Sequence, residues 1–176
     1  AGSSWQPDED LFIEYFNQHP EVKLIIAPHV IDENHLVEII RKLKRPYVRY
    51  TRADEKNVRK ADCLIIDCFG LLSSIYRYGE IAYIGGGFGV GIHNTLEAAV
   101  YGIPVIFGPK YQKFQEAIRL LEAKGGFSIK SYEELKALLD RMLEDEEFLR
   151  ESGMNAGLYV TDNAGATDKV LNMINF

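Results

Sequence analysis

Several things are scarce in this chain, and each scarcity excludes something. There are two cysteines in 176 residues. That is too few for a disulfide framework or a closed zinc site. Cys63 and Cys68 sit five apart in the apolar run CLIIDCF, which reads as buried free thiols in a reducing compartment. No apolar run approaches the ~20 residues that span a bilayer, and no secretory signal is visible. Positive charge is not in excess. Lys and Arg number 20 against 26 Asp and Glu, a formal net charge of −6. A nucleic-acid partner needs a cationic footprint, so that class is disfavoured. Repeats, low-complexity tracts and an internal domain boundary are also missing.

What is present is an ordinary globular composition, 47% apolar and 26% charged. The length suits one hydrophobic core and is short for two. Strand-like and helix-like segments alternate. VKLIIA, YVRYT, CLIIDCF, IAYIGG, PVIFG and FSIK read as strands rich in β-branched residues. Between them, DENHLVEIIRKLK carries Leu36, Ile39, Ile40 and Leu43 on one helical face, and YQKFQEAIRLLEAKG is a helix with a glycine stop. Ser131 with Glu134 three residues on is a capping box for SYEELKALLDRML. One or two further helices follow to the C-terminus. Such alternation implies an α/β fold, a Rossmann-like three-layer sandwich with a mostly parallel sheet covered on both faces.

The start is unusual. The pattern opens on a polar loop, AGSSW, and a helix beginning near Pro7, where a strand is expected. There is no initiating methionine. The expectation is a single domain over 1–176, excised from a longer two-domain enzyme, with a first strand cut off just before Ala1.

In a parallel sheet the loops at the strands' carboxyl ends converge, and ligands bind there. Those loops are Gly2–Ser4, Pro28–His29, Phe69–Gly70, Gly85–Gly91 and Gly108–Pro109. The run GGGFGVGIHNTLEAAVYG stands out. Its glycines allow close backbone approach to a ligand. A helix starting near Asn94 would add an anion-binding N-terminus, and His93 a donor or a charge. There is no G-K-[ST], so this is not a Walker A loop, and neither spacing nor position suits a dinucleotide fingerprint. A phosphate or sugar ligand and a tight structural turn are both open. So are two roles for Glu97: capping the amide of Asn94, or accepting hydrogen bonds from two ligand hydroxyls. His29 ends a strand and suits anion contact. His19 and His35 read as surface residues, Lys110 and Lys113 as solvated, and Asp67 as a buried carboxylate or a loop tuner. No Ser-His-Asp, Cys-His or paired-carboxylate constellation emerges.

The run GGGFGVGIHNTLEAAVYGIPVIFGP resembles the donor-binding motif of bacterial 3-deoxy-D-manno-octulosonic acid (Kdo) transferases. AGSSW resembles that family's loop after the first strand of its second domain, and LIIAPHVID its proline-basic segment after the next strand. The resemblance covers essentially the whole chain, in order. Two positions depart from the pattern: Pro28 stands where many members have arginine, and Ala98 where many have proline.

The resemblance implies the C-terminal half of a two-Rossmann-domain (GT-B) glycosyltransferase. The full enzyme would move Kdo from CMP-Kdo to a lipid A precursor at the cytoplasmic face of the inner membrane, with inversion and without a metal or cofactor. The acceptor site and general base would lie in an absent N-terminal domain, so this chain alone would be inactive. Gly86, Gly87, Gly89, His93 and Asn94 would face the donor, Glu97 would hold the ribose hydroxyls, and Ser3, Ser4 and His29 would approach the phosphate or Kdo carboxylate. The alternatives are another nucleotide-sugar (UDP-sugar) glycosyltransferase or epimerase of the same fold, and a non-catalytic Rossmann-like domain.

Overall fold

The computed structural model describes residues 1–89 and 91–163. Among these lie seven strands: β1 (Gly2–Ser4), β2 (Leu24–Pro28), β3 (Tyr47–Arg49), β4 (Cys63–Ile65), β5 (Ala82–Ile84), β6 (Val105–Phe107) and β7 (Gly126–Ser128). The α-helices are α1 (Gln6–Gln18), α2 (Glu33–Lys42), α3 (Glu55–Val58), α4 (Leu72–Ile75), α5 (Leu96–Ala99), α6 (Gln115–Glu122), α7 (Tyr132–Glu144) and α8 (Glu146–Asn163). The sheet order is β3-β4-β2-β1-β5-β6-β7. Every strand pair is parallel.

The two faces of the sheet follow from the two-residue period of a strand. In β5 and β6, Tyr83 and Ile106 join a cluster with Phe12, Phe16, Leu36, Ile39 and Leu135, packing under α1, α2 and α7. Their neighbours Ala82, Ile84, Val105 and Phe107 join the opposite cluster with Ala98, Ala99, Ala117, Leu120 and Ala156, under α5, α6 and α8. Both clusters are buried, so this is the expected three-layer α/β sandwich.

The first four residues differ from the sequence reading. They form a strand, not a loop, and it lies in the middle of the sheet. Gly2 pairs with Ala27 of β2 on one side and with Ile84 of β5 on the other. Gly-Ser-Ser has no strand propensity of its own. Two-sided backbone pairing supplies what side chains do not. The capping box at Ser131 forms by half: Ser131 Oγ accepts from the Glu134 amide at 3.3 Å, while Glu134 Oε2 accepts from the Lys130 amide. Of the further helices expected near the C-terminus, α8 covers Glu146–Asn163, and residues 164–176 lie outside the described residues.

The topology places the site. From β1 the chain moves outward to β2 and on to the edge strand β3, steps back to β4 between them, then crosses to β5 on the other side of β1. The strand order therefore reverses between β1 and β5. Outside their carboxyl ends such a reversal opens a crevice. Residues 3–5 leave β1 there, and the glycine loop leaves β5 there.

Candidate functional site

The glycine loop is built from backbone. Gly86 has φ +92°, a region open to glycine at no steric cost. Its carbonyl accepts from the amides of Gly89 (2.9 Å) and Gly91 (3.0 Å), which curls the loop on itself. Gly87 meets the next loop so closely that a Cβ there would lie 2.6 Å from the backbone of Gly108. The Gly87 carbonyl accepts from the Lys110 amide at 2.9 Å, and Lys110 Nζ donates to the Gly89 carbonyl at 2.9 Å. The Lys110 head is thus engaged with the loop, whereas Lys113 is exposed.

Asp8 fastens this loop from beneath. It is buried in the first turn of α1. Its Oδ2 accepts from the Gly86 amide (2.9 Å) and from the Trp5 amide (3.0 Å), and its Oδ1 accepts from Tyr83 Oη (3.0 Å). One carboxylate therefore ties the end of β1, the start of α1 and the glycine loop together. Burial pushes its pKa up, against the pull of those donors.

These bonds change the expected use of the loop. The Gly86 amide is taken by Asp8, and the Gly89 amide by the Gly86 carbonyl. Those two donors are spent inside the protein. The helix after the loop is also shorter than read: α5 is one turn, with Thr95, not Asn94, at its cap position. Asn94 Oδ1 accepts from the Leu96 amide at 3.0 Å, and Asn94 Nδ2 donates to Glu97 Oε1 at 3.2 Å. Glu97 thus pairs with the Asn94 side chain. In the capping box considered for it, the partner is the Asn94 backbone.

Beside the loop three rings stack. Trp5 and His29 have ring centroids 4.7 Å apart, and His29 and His93 4.4 Å apart, all near parallel. Trp5 Nε1–H donates to His93 Nε2 at 3.3 Å. The His29 amide donates to the Ser4 carbonyl, and the His93 amide to the Gly85 carbonyl, so both rings are carried on fixed backbone. Burial and the neighbouring His29 ring lower the pKa of His93. His29 and Asn94 are exposed, and His93 and Glu97 are half-buried.

Ser3 and Ser4 part company. Ser3 is half-buried with φ +50°, an uncommon conformation for a residue with a side chain. Ser4 is fully buried, and its hydroxyl donates to Glu9 Oε1 at 2.9 Å. The expectation that Ser4 approaches a ligand is corrected here, because its one proton is committed inside the core.

The Glu9 carboxyl reaches a second partner. His35 Nε2 lies 3.0 Å from Glu9 Oε2, and His35 Nδ1 lies 2.9 Å from the Val30 carbonyl. Both ring nitrogens face acceptors, an arrangement that favours the imidazolium. Burial is the largest single influence and pulls the His35 pKa down, but the bond and charge of Glu9, the Val30 carbonyl and the charge of Asp32 together outweigh it, and the net direction is up. His35 is therefore a structural ion-pair partner, not the surface residue read from the sequence. His19 is half-buried as well, stacked on Tyr15 at 3.9 Å.

On the β3–β4 side of the crevice, Asp67 plays the part Asp8 plays under the glycines. It accepts from the Thr51 amide (2.8 Å), Thr51 Oγ1 (2.6 Å) and Arg49 Nε (2.8 Å). The loop that follows exposes Phe69 at 80% of its surface. Both cysteines are free, and burial pushes the Cys63 thiol up to about 12, which makes it inert. Among the described residues no group of three or more metal-ligating side chains is found, and no helix is long and apolar enough to cross a membrane. A mainly apolar cavity of about 320 Å³, lined by residues such as Phe12, Phe16, Leu24 and Leu139 and also by Glu21, Lys23 and Glu80, lies at the strands' other ends.

Trp5, Asp8, Glu9 and His35 were missed as members of this neighbourhood. Two acidic residues in a first helical turn read as partners of the helix dipole. The signal that separates them is their place directly after a strand at the reversal point, which only the topology supplies.

No family model matches the chain. It is 33% identical over 149 residues to the 3-deoxy-D-manno-octulosonic acid transferase of Aquifex aeolicus, a match covering 81% of this chain and 41% of that protein. The chain thus spans about two fifths of that relative's length. Its fold is that of the C-terminal CMP-Kdo binding domain of WaaA from Acinetobacter baumannii, with a TM-score of 0.77 at 19% identity over 90% of this chain and 86% of that one. Anabaena HepE, solved in complex with UDP, shares the fold with a TM-score of 0.63 at 13% identity, over 97% of this chain and 47% of that one.

Proposed function

We propose, from its kinship with the 3-deoxy-D-manno-octulosonic acid transferases, that this chain is the donor-binding domain of such an enzyme. It serves a longer protein that moves Kdo from CMP-Kdo to a lipid A precursor, with inversion and without a metal. The full enzyme works at the cytoplasmic face of the inner membrane. Its other domain supplies the acceptor site and the general base, so this domain alone turns nothing over. The observation that supports the reading is one of position. At the reversal point of a parallel sheet, the glycine loop, a histidine pair and the Asn94–Glu97 pair stand together.

The chemistry the site has to do is modest. CMP departs carrying a phosphate, and charge grows on it as the glycosidic bond breaks. Preorganised donors lower that barrier. In this domain the donors are side chains: His29, His93 and the Asn94 amide, with Ser3 at the end of β1. Gly86, Gly87 and Gly89 act by shape, keeping the loop thin enough for a nucleotide to approach. Glu97 accepts from ribose hydroxyls, with Asn94 holding its carboxylate in place.

Calorimetric titration tests this. CMP is expected to bind, with UMP at least tenfold weaker, and Glu97→Gln to weaken CMP without moving Tm. Equal affinity for UMP favours a UDP-sugar enzyme; HepE, which shares the fold, was solved in complex with UDP. Loss of Tm in step with loss of binding assigns Glu97 to holding the helix turn instead.

A further inference from the structure

The single tryptophan does more than fill space. An indole N–H is a donor and never an acceptor. Trp5 Nε1–H points at His93 Nε2 from 3.3 Å. That nitrogen must therefore present its lone pair, and the ring proton must sit on Nδ1. The geometry that holds this bond is well fixed. The Trp5 amide is tied to Asp8, the His93 amide to the Gly85 carbonyl, and the His29 ring stacks against both partners.

We propose that Trp5 is a positioning residue of the donor site, whose indole fixes His93 as the neutral tautomer protonated on Nδ1. His93 then offers a ligand one directed N–H, not a charge. Protonating it at Nε2 requires breaking the bond to Trp5. The other groups around the ring are Asp8 of α1 and Glu97 of α5, which favour its cation, and His29 after β2, which opposes it. Burial opposes the cation too. A neutral donor binds a phosphate or carboxylate oxygen with a strength that stays level across neutral pH. A cationic one would lose its grip as pH rises through its titration. That His93 meets a donor nucleotide rests on the function proposed above. The tautomer does not.

The test is a long-range proton–nitrogen correlation spectrum of the histidine rings in the ligand-free chain near pH 7.5, for the native protein and Trp5→Phe. Phenylalanine keeps an aromatic ring to stack on His29 and removes the N–H together with part of the indole. The native chain is expected to show His93 with Nδ1 protonated and Nε2 bare. In Trp5→Phe the Nε2–H form should grow in, and the titration midpoint of His93 should rise by about half to one pH unit, the worth of one hydrogen bond. A native His93 protonated on Nε2 or on both nitrogens overturns the proposal, whatever the variant does. So does a Trp5→Phe spectrum and midpoint indistinguishable from native. Because no nucleotide is present, this result stands apart from whether CMP binds. With CMP added, affinity in Trp5→Phe should vary more steeply between pH 6 and 8 than in the native chain.

Discussion

Two buried aspartates hold the two sides of the carboxyl edge, and they do it differently. Asp8 accepts three hydrogen bonds, all from neutral donors: the Trp5 and Gly86 amides and the Tyr83 hydroxyl. Asp67 also accepts three, but one comes from the guanidinium of Arg49. The outcome is opposite. Burial wins at Asp8 and raises its pKa. At Asp67 burial also pushes up, but Thr51 and Arg49 outweigh it, and the pKa falls. Neutral dipoles satisfy a buried carboxylate's geometry, whereas a cation also compensates its charge. The glycine loop thus rests on shape and backbone, and the β4 side on charge.

The contrast breaks most visibly at Gly87. A methyl group there runs into the Gly108 backbone, which has no flexible end to move aside. Gly87→Ala is expected to cost about 3 kcal/mol in chemical denaturation. Gly89→Ala, with only a carbonyl at 3.9 Å, should cost far less. Similar losses at both positions would mean that the loop's shape is not set by this approach.

Next come the aspartates themselves. Asp67→Asn should cost about 2 kcal/mol at neutral pH, because an amide cannot answer Arg49 and sets N–H against N–H. Asp8→Asn should cost under about 1 kcal/mol, since an amide oxygen still serves both backbone donors. The pH dependence carries opposite signs. Asp67 contributes stability above the ordinary aspartate value, lost as pH falls through its lowered pKa. Asp8 contributes below that ordinary value, and the contribution is lost as pH rises through its raised pKa. The gap between the two variants should therefore narrow on acidification. A gap that widens would remove Arg49 from the explanation.

A smaller effect distinguishes His35. Its raised pKa means the Glu9 ion pair stabilises the fold fully below the ordinary histidine value, and less as pH rises through the raised one. Denaturation of native chain and His35→Gln at pH 6 and pH 9 should show a difference that shrinks at the higher pH. A constant difference would make His35 a packing residue only.

Much of this architecture was legible in the sequence. Apolar periodicity together with cap and stop signals exposed α1, α2, α6 and α7, and β-branched apolar runs exposed six of the seven strands, whereas α8 was read only as one or two further helices. The seventh, β1, was hidden since Gly-Ser-Ser carries no pattern, and only its two neighbours make it a strand. The glycine loop was found through its composition. Its partners were not, because Asp8 reaches Gly86 across 78 positions of sequence. His35 was missed for the same reason: its partner Glu9 lies on another helix. Local reading favours local partners, so Glu97 was weighed against a cap on Asn94 while the committed hydroxyl of Ser4 went unseen.

The central claim is that this edge holds a CMP-sugar donor. Amide chemical-shift mapping of the chain titrated with CMP, with UMP as control, tests it most directly. The account predicts CMP-specific shifts at Ser3, His29 and residues 86–97 that leave the β7 edge untouched. No response to CMP, or a response confined to the apolar cavity at the other end of the strands, would contradict it.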